Sequence, residues 1–282
     1  MKVIIADSGS SKTEWRIVEN GIPGTSLVSA GFNPYFVDSV QISSILKKEL
    51  PITGDEQFDQ LYFYGTGCNS VAKEDIIKNG VKGYLNVRSV FVGSDLLGAA
   101  RSLCLDQPGI ACIMGTGSNS CYYDGTRIVA NIPPLGYILG DEGGGAVMGR
   151  KLVAGILKKQ FNESLRQKFM DRYKLTTAEI LDNVYTKPFP NRFLGKFAVF
   201  LSENIEEPEI RQIINTSFEE FIVRNILQYP ESLKLPVHFT GSIAFHFSEI
   251  LVDQLRKFDL QPGIITHTPM ENLVKYHLLT GI

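Results

Sequence analysis

The chain has 282 residues, of which 44% are hydrophobic and 21% charged, and its formal net charge is -2. Lys and Arg are scattered along it rather than massed on one segment, so no basic surface is expected to attract nucleic acid. No apolar run reaches the roughly 18 residues that a membrane helix needs, so no membrane partner is expected. A chain of this length forms one large domain or two of about 100–150 residues, and we favour two.

The four cysteines and the four histidines show none of the common metal-binding spacings. The cysteines lack a paired C-x-x-C pattern, and the N-terminus turns polar too early for a signal peptide. Reduced thiols in a cytoplasmic protein are therefore expected, rather than a disulfide framework or a zinc site. The histidines lack H-E-x-x-H spacing and are expected at the surface or in packing. The residues concerned are Cys68, Cys104, Cys112, Cys121, His238, His246, His267 and His277.

A strand, a polar turn and a second strand open the chain. Residues 2–6 (KVIIA) form a short, mainly apolar run, residues 7–13 combine glycine, hydroxyl and charged side chains, and residues 14–18 return to an extended pattern. Backbone N–H groups in a turn of this composition form a concave surface that suits a phosphate group, to which Ser11 and Lys12 would add hydrogen bonds and charge. An ordinary hairpin turn without a ligand is the alternative.

Asp95 follows a predicted buried strand (residues 89–92) and a Gly-Ser turn, and it precedes the start of a predicted helix. It is thus expected at the carboxyl end of a strand, which is the edge of an α/β sheet where ligands bind. A second role is equally natural at this spot, because an N-cap aspartate stabilises its own helix by roughly 1 kcal/mol. Spacing alone does not separate the two roles.

The opening pattern returns in the middle of the chain. Residues 109–114 are apolar, residues 115–120 form a polar turn and residues 121–123 extend again, with a weaker echo at residues 237–242. Two such turns at the starts of two similar halves favour a pair of hairpins that hold one polyphosphate. Strands that alternate with helical patterns predict an α/β fold with mostly parallel sheet. The second repeat places the boundary between the halves at residues 105–109.

A glycine-dense segment, residues 136–145, contains two acidic residues, Asp141 and Glu142. Glycine lets the backbone approach a ligand closely, and carboxylates there would bind sugar hydroxyls or a metal. The alternative is a flexible loop with solvated carboxylates.

Three helices are marked clearly in the second half. Apolar residues recur with helical periodicity after Gly145 and over residues 210–226, which predicts two amphipathic helices. The last helix has the strongest terminal signals. They are Thr268 as N-cap, Pro269 at the first helical position, Glu271 for a capping box and Gly281 as the stop.

Six short motifs span nearly the whole chain. They are DSGSSKTEW (7–15), GFNP (31–34), GSDLLGAA (93–100), GTGSNS (115–120), GDEGGG (140–145) and TGSIA (240–244). In this order they resemble the N-acetylglucosamine kinases of the BadF-type ATPase family, within the actin/hexokinase-like superfold. The resemblance implies an α/β fold of two actin-like (ribonuclease H-like) domains, with mixed sheets flanked by helices and a ligand cleft between the domains. The domains would be residues 1–106 plus 268–282 and residues 107–267, with the C-terminal helix returning to the first.

The resemblance also implies a role for each matching residue. Asp95 would accept the proton of the sugar's attacking hydroxyl, and Asp7 would hold Mg²⁺ through water. The ATP-binding residues would be Asp7, Gly9, Ser11, Lys12, Gly115, Thr116, Gly241 and Ser242. The sugar-binding residues would be Asn33, Gly117, Asn119, Gly136 and Asp141.

The implied reaction is transfer of the γ-phosphoryl group of ATP to a hydroxyl, O6, of N-acetylglucosamine or a related amino sugar. The implied cofactors are ATP and Mg²⁺, the partner is a small-molecule sugar, and the resemblance allows a homodimer. Two alternatives stay open. One is an ATPase activator of a 2-hydroxyacyl-CoA dehydratase-type enzyme, whose relatives hold an iron–sulfur cluster by cysteine thiolates. The other is a sugar- or nucleotide-binding protein without catalysis.

Overall fold

The computed structural model describes residues 1–9, 11–52 and 56–282. Ser10, which belongs to the first predicted turn, lies outside the described residues. The chain divides into two compact units, each with a five-stranded sheet. Unit 1 comprises Met1–Pro108, Tyr123–Ile128 and Thr268–Ile282, and unit 2 comprises Gly109–Tyr122 and Val129–His267.

The sheet of unit 1 contains the first five strands, in the spatial order β3-β2-β1-β4-β5. The strands are β1 (Lys2–Ser8), β2 (Lys12–Glu19), β3 (Ile22–Ala30), β4 (Gln57–Gly65) and β5 (Asn86–Ser94). The hairpin strands β1, β2 and β3 pair antiparallel, whereas β1, β4 and β5 pair parallel. Because parallel strands end at the same side of a sheet, the carboxyl ends of β1, β4 and β5 form one edge.

Three helices follow the strands of unit 1: α1 (Ser39–Glu49), α2 (Val71–Lys82) and α3 (Asp95–Cys104). The central strand β1 is buried on both faces, since successive side chains of a strand point to opposite sides. Ile4 and Ala6 join an apolar cluster with Trp15, whereas Val3 and Ile5 join another. β1 therefore lies at the centre of the unit 1 core, and Asp7 follows directly after these apolar residues.

The sheet of unit 2 has the spatial order β10-β9-β6-β7-β8, and β6, β9 and β10 pair parallel. Its strands are β6 (Gly109–Met114), β7 (Ser118–Tyr123), β8 (Ile128–Ile132), β9 (Val237–Thr240) and β10 (Pro262–Thr266). The second turn is shorter than predicted, because β7 already begins at Ser118 and so includes Asn119.

The helices of unit 2 pack around a large apolar cluster. They are α4 (Gly136–Leu139), α5 (Gly145–Leu157), α6 (Glu163–Tyr173), α7 (Thr177–Tyr185), α8 (Pro190–Gly195), α9 (Ala198–Glu203), α10 (Pro208–Arg224), α11 (Ser242–His246) and α12 (Ser248–Lys257), with short 3₁₀ helices at Ile226–Gln228 and Pro230–Leu233. The two amphipathic helices predicted in this half are α5 and α10, and both bury their apolar stripes.

The final helix, α13 (Met270–Leu279), packs on α3 in unit 1. Its predicted capping box is wrong. The helix begins at Met270, Pro269 occupies the N-cap position, and no side chain caps the first turn. Glu271 instead binds Arg16 of β2 at 2.6 Å, so a tertiary ion pair has replaced the local interaction that the spacing predicted.

The cysteines and histidines agree with a packing role for most of them. None of the four cysteines forms a disulfide and all four are buried, and His238 and His277 are also buried. In the part of the chain that the structure describes, no three or more His, Cys, Asp or Glu side chains form a group suited to a metal ion. Within those same residues, every helix is too short or too polar to cross a bilayer.

Candidate functional site

The carboxyl edge of the unit 1 sheet brings together residues that lie far apart in the sequence. Asp7 is the penultimate residue of β1, Thr66 follows β4 directly, and Asp95 follows β5 directly. The strand registers pair Ser8 with Gly65, and Gly65 with Ser94. Two acidic side chains and a hydroxyl therefore share the sheet edge where α/β proteins bind ligands.

Asp95 is not the N-cap of α3, so that alternative is wrong. Ser94 caps the helix, since its hydroxyl accepts a hydrogen bond from the Leu97 N–H at 3.1 Å. The Asp95 carboxylate accepts two other hydrogen bonds, from the Thr66 hydroxyl to Oδ2 at 2.7 Å and from the Leu96 N–H to Oδ1 at 2.8 Å. Burial raises the pKa of Asp95, and these two hydrogen bonds oppose the rise.

The carboxyl group of Asp7, at the same edge of the sheet, has a raised pKa. The pKa of Asp7 is raised to about 7, mainly by burial and to a smaller extent by the negative charges of Asp95 and Glu14, whereas the positive charge of Lys12 opposes the rise. A divalent cation bound near these carboxylates would offset the repulsion between them. Proteins usually bind Mg²⁺ with one or two carboxylates, and water and phosphate oxygens complete its coordination. A single carboxylate such as Asp7 is therefore compatible with the predicted contact through water.

The predicted first phosphate turn lies between β1 and β2, next to Asp7. Gly9, Ser11 and Lys12 are exposed, and the Gly9 N–H donates to the Lys12 carbonyl at 3.0 Å. The base of the turn is held by a hydrogen bond between the Ser8 and Thr13 hydroxyls at 2.7 Å. The ends of β1 and β2 are thus joined by hydrogen bonds, and Gly9, Ser11 and Lys12 are accessible to a ligand.

Asn33 lies in a loop that contacts the segment after β4. Its Oδ1 accepts from the Tyr35 N–H at 3.0 Å, and a Cβ placed on Gly67 would lie 2.6 Å from that same oxygen. The Tyr35 hydroxyl in turn donates to Asn69 Oδ1 at 3.1 Å. Since Gly67 also has a positive φ of 81°, glycine is required there for two reasons.

Thr66 and Asn69 contact residues of the candidate site, and the sequence analysis did not single them out. A signal for them exists, because residues 65–70 (GTGCNS) differ from residues 115–120 (GTGSNS) only at the fourth position. The first copy follows β4 in unit 1 and the second follows β6 in unit 2. The same glycine and hydroxyl segment therefore follows a parallel strand in each unit.

The second phosphate-type turn is tied to the N-terminus of α5. The Gly145 N–H donates to the Gly115 carbonyl and the Ala146 N–H to the Thr116 carbonyl, both at 2.8 Å. Gly115, Thr116 and Ser242 line a single cavity of about 370 Å³ in unit 2. Three of the predicted ATP-binding residues thus lie together.

Gly241 immediately precedes Ser242 and has a φ of 122°. A Cβ at this position would collide with the Met114 carbonyl group. Only glycine allows this close approach of the β9–α11 connection to the end of β6.

Asp141 is brought against the second turn. The Ser118 N–H donates to Asp141 Oδ1 at 3.3 Å, and a Cβ placed on Gly117 would lie 2.8 Å from Oδ2. Burial raises the pKa of Asp141 to about 6, opposed by the Ser118 N–H and reinforced by the negative charge of Glu142. The predicted sugar-binding residues Gly117 and Asp141 are therefore neighbours.

Glu142 anchors the glycine-dense segment instead of being solvated. Only 6% of the residue is exposed. Its carboxylate pairs with Arg224 of α10 at 2.6 Å and accepts from Asn225 Nδ2 at 3.3 Å. The alternative of a flexible loop with solvated carboxylates is wrong for this residue.

Asn119 and Gly136 are held by hydrogen bonds that do not involve the Asp141 side chain. Asn119 Oδ1 accepts from the Ser120 N–H at 2.9 Å and from Asn131 Nδ2 at 3.0 Å. Gly136 starts α4 with a φ of 74°. Over the residues described, no hydrogen bond joins either of them to Asp141.

Comparison with solved structures decides the family. A protein from Porphyromonas gingivalis, for which N-acetylglucosamine kinase activity has been proposed, is 43% identical to this chain with a TM-score of 0.95. The match covers 99% of this chain and 100% of that chain. The chain belongs to the N-acetylglucosamine kinase-like family. Membership of this family confirms the resemblance that the six motifs predicted.

Two more distant structures share the fold of this N-acetylglucosamine kinase-like protein, and at their low identity they support the fold only. A Chromobacterium violaceum protein, also proposed as an N-acetylglucosamine kinase, is 16% identical with a TM-score of 0.71, and the match covers 98% of each chain. The ethanolamine utilization protein EutJ from Carboxydothermus hydrogenoformans is 16% identical with a TM-score of 0.58, covering 100% of this chain and 90% of that one. The predicted fold class, two mixed sheets flanked by helices, is confirmed. No protein-family model and no curated protein matched the chain.

Proposed function

We propose that this protein is an ATP-dependent sugar kinase that phosphorylates a hydroxyl, O6, of N-acetylglucosamine or a related amino sugar. The observation that carries the proposal is Asp95, a buried carboxylate held by two hydrogen bonds at the carboxyl edge of parallel strands. The 43% identity to a proposed N-acetylglucosamine kinase supports the same activity. On this basis the chain is a member of the BadF-type branch, acts in the cytoplasm and takes a small-molecule sugar as partner.

Asp95 is the general base in this proposal. It accepts the proton of the sugar hydroxyl as the oxygen–phosphorus bond forms and the bond between the γ-phosphorus and the ADP oxygen breaks. Phosphoryl transfer needs little covalent assistance from a protein, so most of the rate enhancement comes from positioning and from stabilisation of charge. Burial, which raises the proton affinity of Asp95, suits a carboxylate to this task.

We propose one set of ATP-binding residues in each unit. In unit 1, Gly9, Ser11 and Lys12 supply backbone and side-chain donors to phosphate, and Asp7 orients the hydrated Mg²⁺. In unit 2, the binding residues are Gly115, Thr116, Gly241 and Ser242. When bound, Mg²⁺ neutralises the charge that develops on the phosphate oxygens.

We assign the sugar to amide, carboxylate and backbone groups near these turns. Asn33 and Asn119 each have an amide oxygen engaged within the protein, so their NH₂ groups serve as donors to the sugar. Asp141 accepts from sugar hydroxyls, and Gly117 and Gly136 let the backbone approach closely. One altered contact with a sugar changes the ratio of kcat/KM between two similar sugars by about 10–200-fold.

A coupled assay of ADP release over a panel of amino sugars and hexoses with Mg-ATP tests the proposal. We expect N-acetylglucosamine or another amino sugar to be the best substrate, with the phosphate on O6 by NMR of the product. Asp95→Asn should lower kcat by about 10²–10⁴ while leaving the KM for ATP nearly unchanged. Asp253→Asn, which alters an exposed carboxylate paired with Arg256, is the control. Normal turnover of the Asp95→Asn enzyme would refute the assigned role.

The alternatives from the sequence are separated by two simple measurements. A dehydratase activator would contain iron and absorb visible light, whereas a sugar kinase would not. A binding protein without catalysis would take up sugar or nucleotide in a calorimeter but release no ADP. Light scattering would show whether the kinase is a homodimer, which stays a prediction.

A further inference from the structure

Thr66 bridges two of the strand ends at the candidate active edge of unit 1. Its backbone N–H donates to the Ser8 carbonyl at 3.0 Å, which ties the end of β4 to the end of β1. Its hydroxyl donates to Asp95 Oδ2 at 2.7 Å, which ties the same residue to the start of α3. Ser8 is the neighbour of Asp7, so this one residue links the segments that carry both acidic side chains.

The orientation of the Asp95 carboxylate would be less restricted if only one of its oxygens were held. The terminal torsion of an aspartate is broad, because it joins a tetrahedral carbon to a planar group. The Leu96 N–H binds Oδ1 at 2.8 Å, and Thr66 binds Oδ2. Two donors from different directions hold both oxygens and therefore fix the plane of the carboxylate.

We propose that Thr66 is a positioning residue that aims the Asp95 carboxylate at the sugar hydroxyl. This inference rests on the proposed function, because it assumes that Asp95 is the general base. Threonine suits the task better than serine does, since its branched Cβ restricts rotation about χ1. The backbone bond to Ser8 then holds the residue in place. Loss of the hydroxyl leaves Asp95 in the fold but no longer held in one orientation.

Two substitutions separate the hydroxyl from the shape of the side chain. Thr66→Val keeps the branched shape and removes the donor, whereas Thr66→Ser keeps the donor and removes a methyl group. Thr216→Val is the matched control, because Thr216 is also half-buried and accepts a side-chain hydrogen bond, from Gln212 in α10. Equal unfolding midpoints of the three variants and the natural protein would show that all of them fold.

Steady-state kinetics give the first test. Thr66→Val should lower kcat by about 10–100-fold, because a catalytic group misplaced by about 1 Å costs a factor of that order. The KM for ATP should change less than about twofold, and Thr66→Ser should recover most of kcat. If Thr66→Val turns over at the natural rate, the positioning role is overturned while the proposed kinase function stands.

Carbon NMR of protein labelled at aspartate Cγ gives a second test that needs no activity. The Asp95 signal is identified by its loss in Asp95→Asn. We expect this signal to move in Thr66→Val and to keep its position in Thr66→Ser and Thr216→Val. If the natural protein phosphorylates no sugar in the panel, the proposed function fails, and a shifted Asp95 signal then shows that Thr66 still positions this carboxylate. An unmoved signal in Thr66→Val overturns the inference whatever the kinetics show.

Discussion

Asp141 shows how one backbone position sets the chemistry of a side chain. Its φ of 53° lies in the left-handed region, which few L-residues other than asparagine and aspartate adopt. This conformation directs the carboxyl toward the Ser118 N–H and the backbone of Gly117. The same placement removes the carboxyl from water, so its pKa rises to about 6.

The raised pKa makes stability depend on pH. Folding raises the Asp141 pKa from 3.8 to about 6, so the native state binds this proton more tightly than the unfolded state. The resulting stabilisation is present below about pH 4 and is lost as the pH rises through 6. Asp141→Asn cannot titrate, so its free energy of unfolding, measured relative to the natural protein, should increase between pH 4 and pH 7.5. After allowance for partial exposure, the increase is on the order of 1 kcal/mol.

Urea unfolding at several pH values measures this difference. Asp124→Asn is the control, because turn hydrogen bonds lower the pKa of Asp124 to about 2 and move its titration below this pH range. A difference between Asp141→Asn and the natural protein that stays constant from pH 4 to 7.5 would contradict the raised pKa.

At the scale of elements, the second turn is held by the helix that follows the glycine-dense segment. α5 binds the turn through its first two N–H groups, and about one turn further along, the same helix packs closely against α8. Gly149 of α5 faces the backbone of Leu194, so that a Cβ at this position would collide with the Leu194 carbonyl. The close approach of these two helices therefore requires glycine.

Replacement of two glycines of α5 by alanine is expected to change stability by different amounts. Gly149→Ala should destabilise the protein by about 1–3 kcal/mol, because the obstacle is backbone that cannot rotate away. At Gly155 the atoms nearest to an added Cβ belong to the ring of Phe161, a half-buried side chain rather than backbone, and alanine favours a helix over glycine by about 1 kcal/mol. Chemical denaturation should thus show a clear loss for Gly149→Ala and little change for Gly155→Ala. Equal effects would show that the two helices do not meet at Gly149.

At the scale of the whole molecule, the two ends of the chain complete one core. Val3 and Ile5 of β1 share an apolar cluster with Met270, Leu273 and Val274 of α13. His277 of the same helix is buried beside Tyr64, with Nε2 and the Tyr64 hydroxyl 3.0 Å apart. Unit 1 is therefore complete only when the last residues have been added.

A chain truncated after His267 tests this dependence. Loss of α13 exposes the apolar face of β1 and Tyr64, so unit 1 should become sensitive to protease while unit 2, which has a separate apolar cluster, resists. Glu271→Ala, which removes only the ion pair with Arg16, is the control and should remain resistant, since exposed ion pairs contribute about 0–1 kcal/mol. Equal resistance of unit 1 with and without α13 would contradict its place in the core.

The sequence by itself determined the features that local pattern encodes. The strand-turn-strand repeat at residues 2–18 and 109–123, the amphipathic helices α5 and α10, and the place of Asp95 after a strand all follow from periodicity and turn residues close together in the chain. Six motifs in order were enough to indicate the family. Only the tertiary structure decided that Thr66 holds Asp95 and that Glu142 pairs with Arg224. These contacts depend on which strands are neighbours and which helices pack together. Thr66 and Asp95 lie 29 residues apart, and Glu142 and its second partner Asn225 lie 83 residues apart, so neither contact leaves a periodic trace in the sequence.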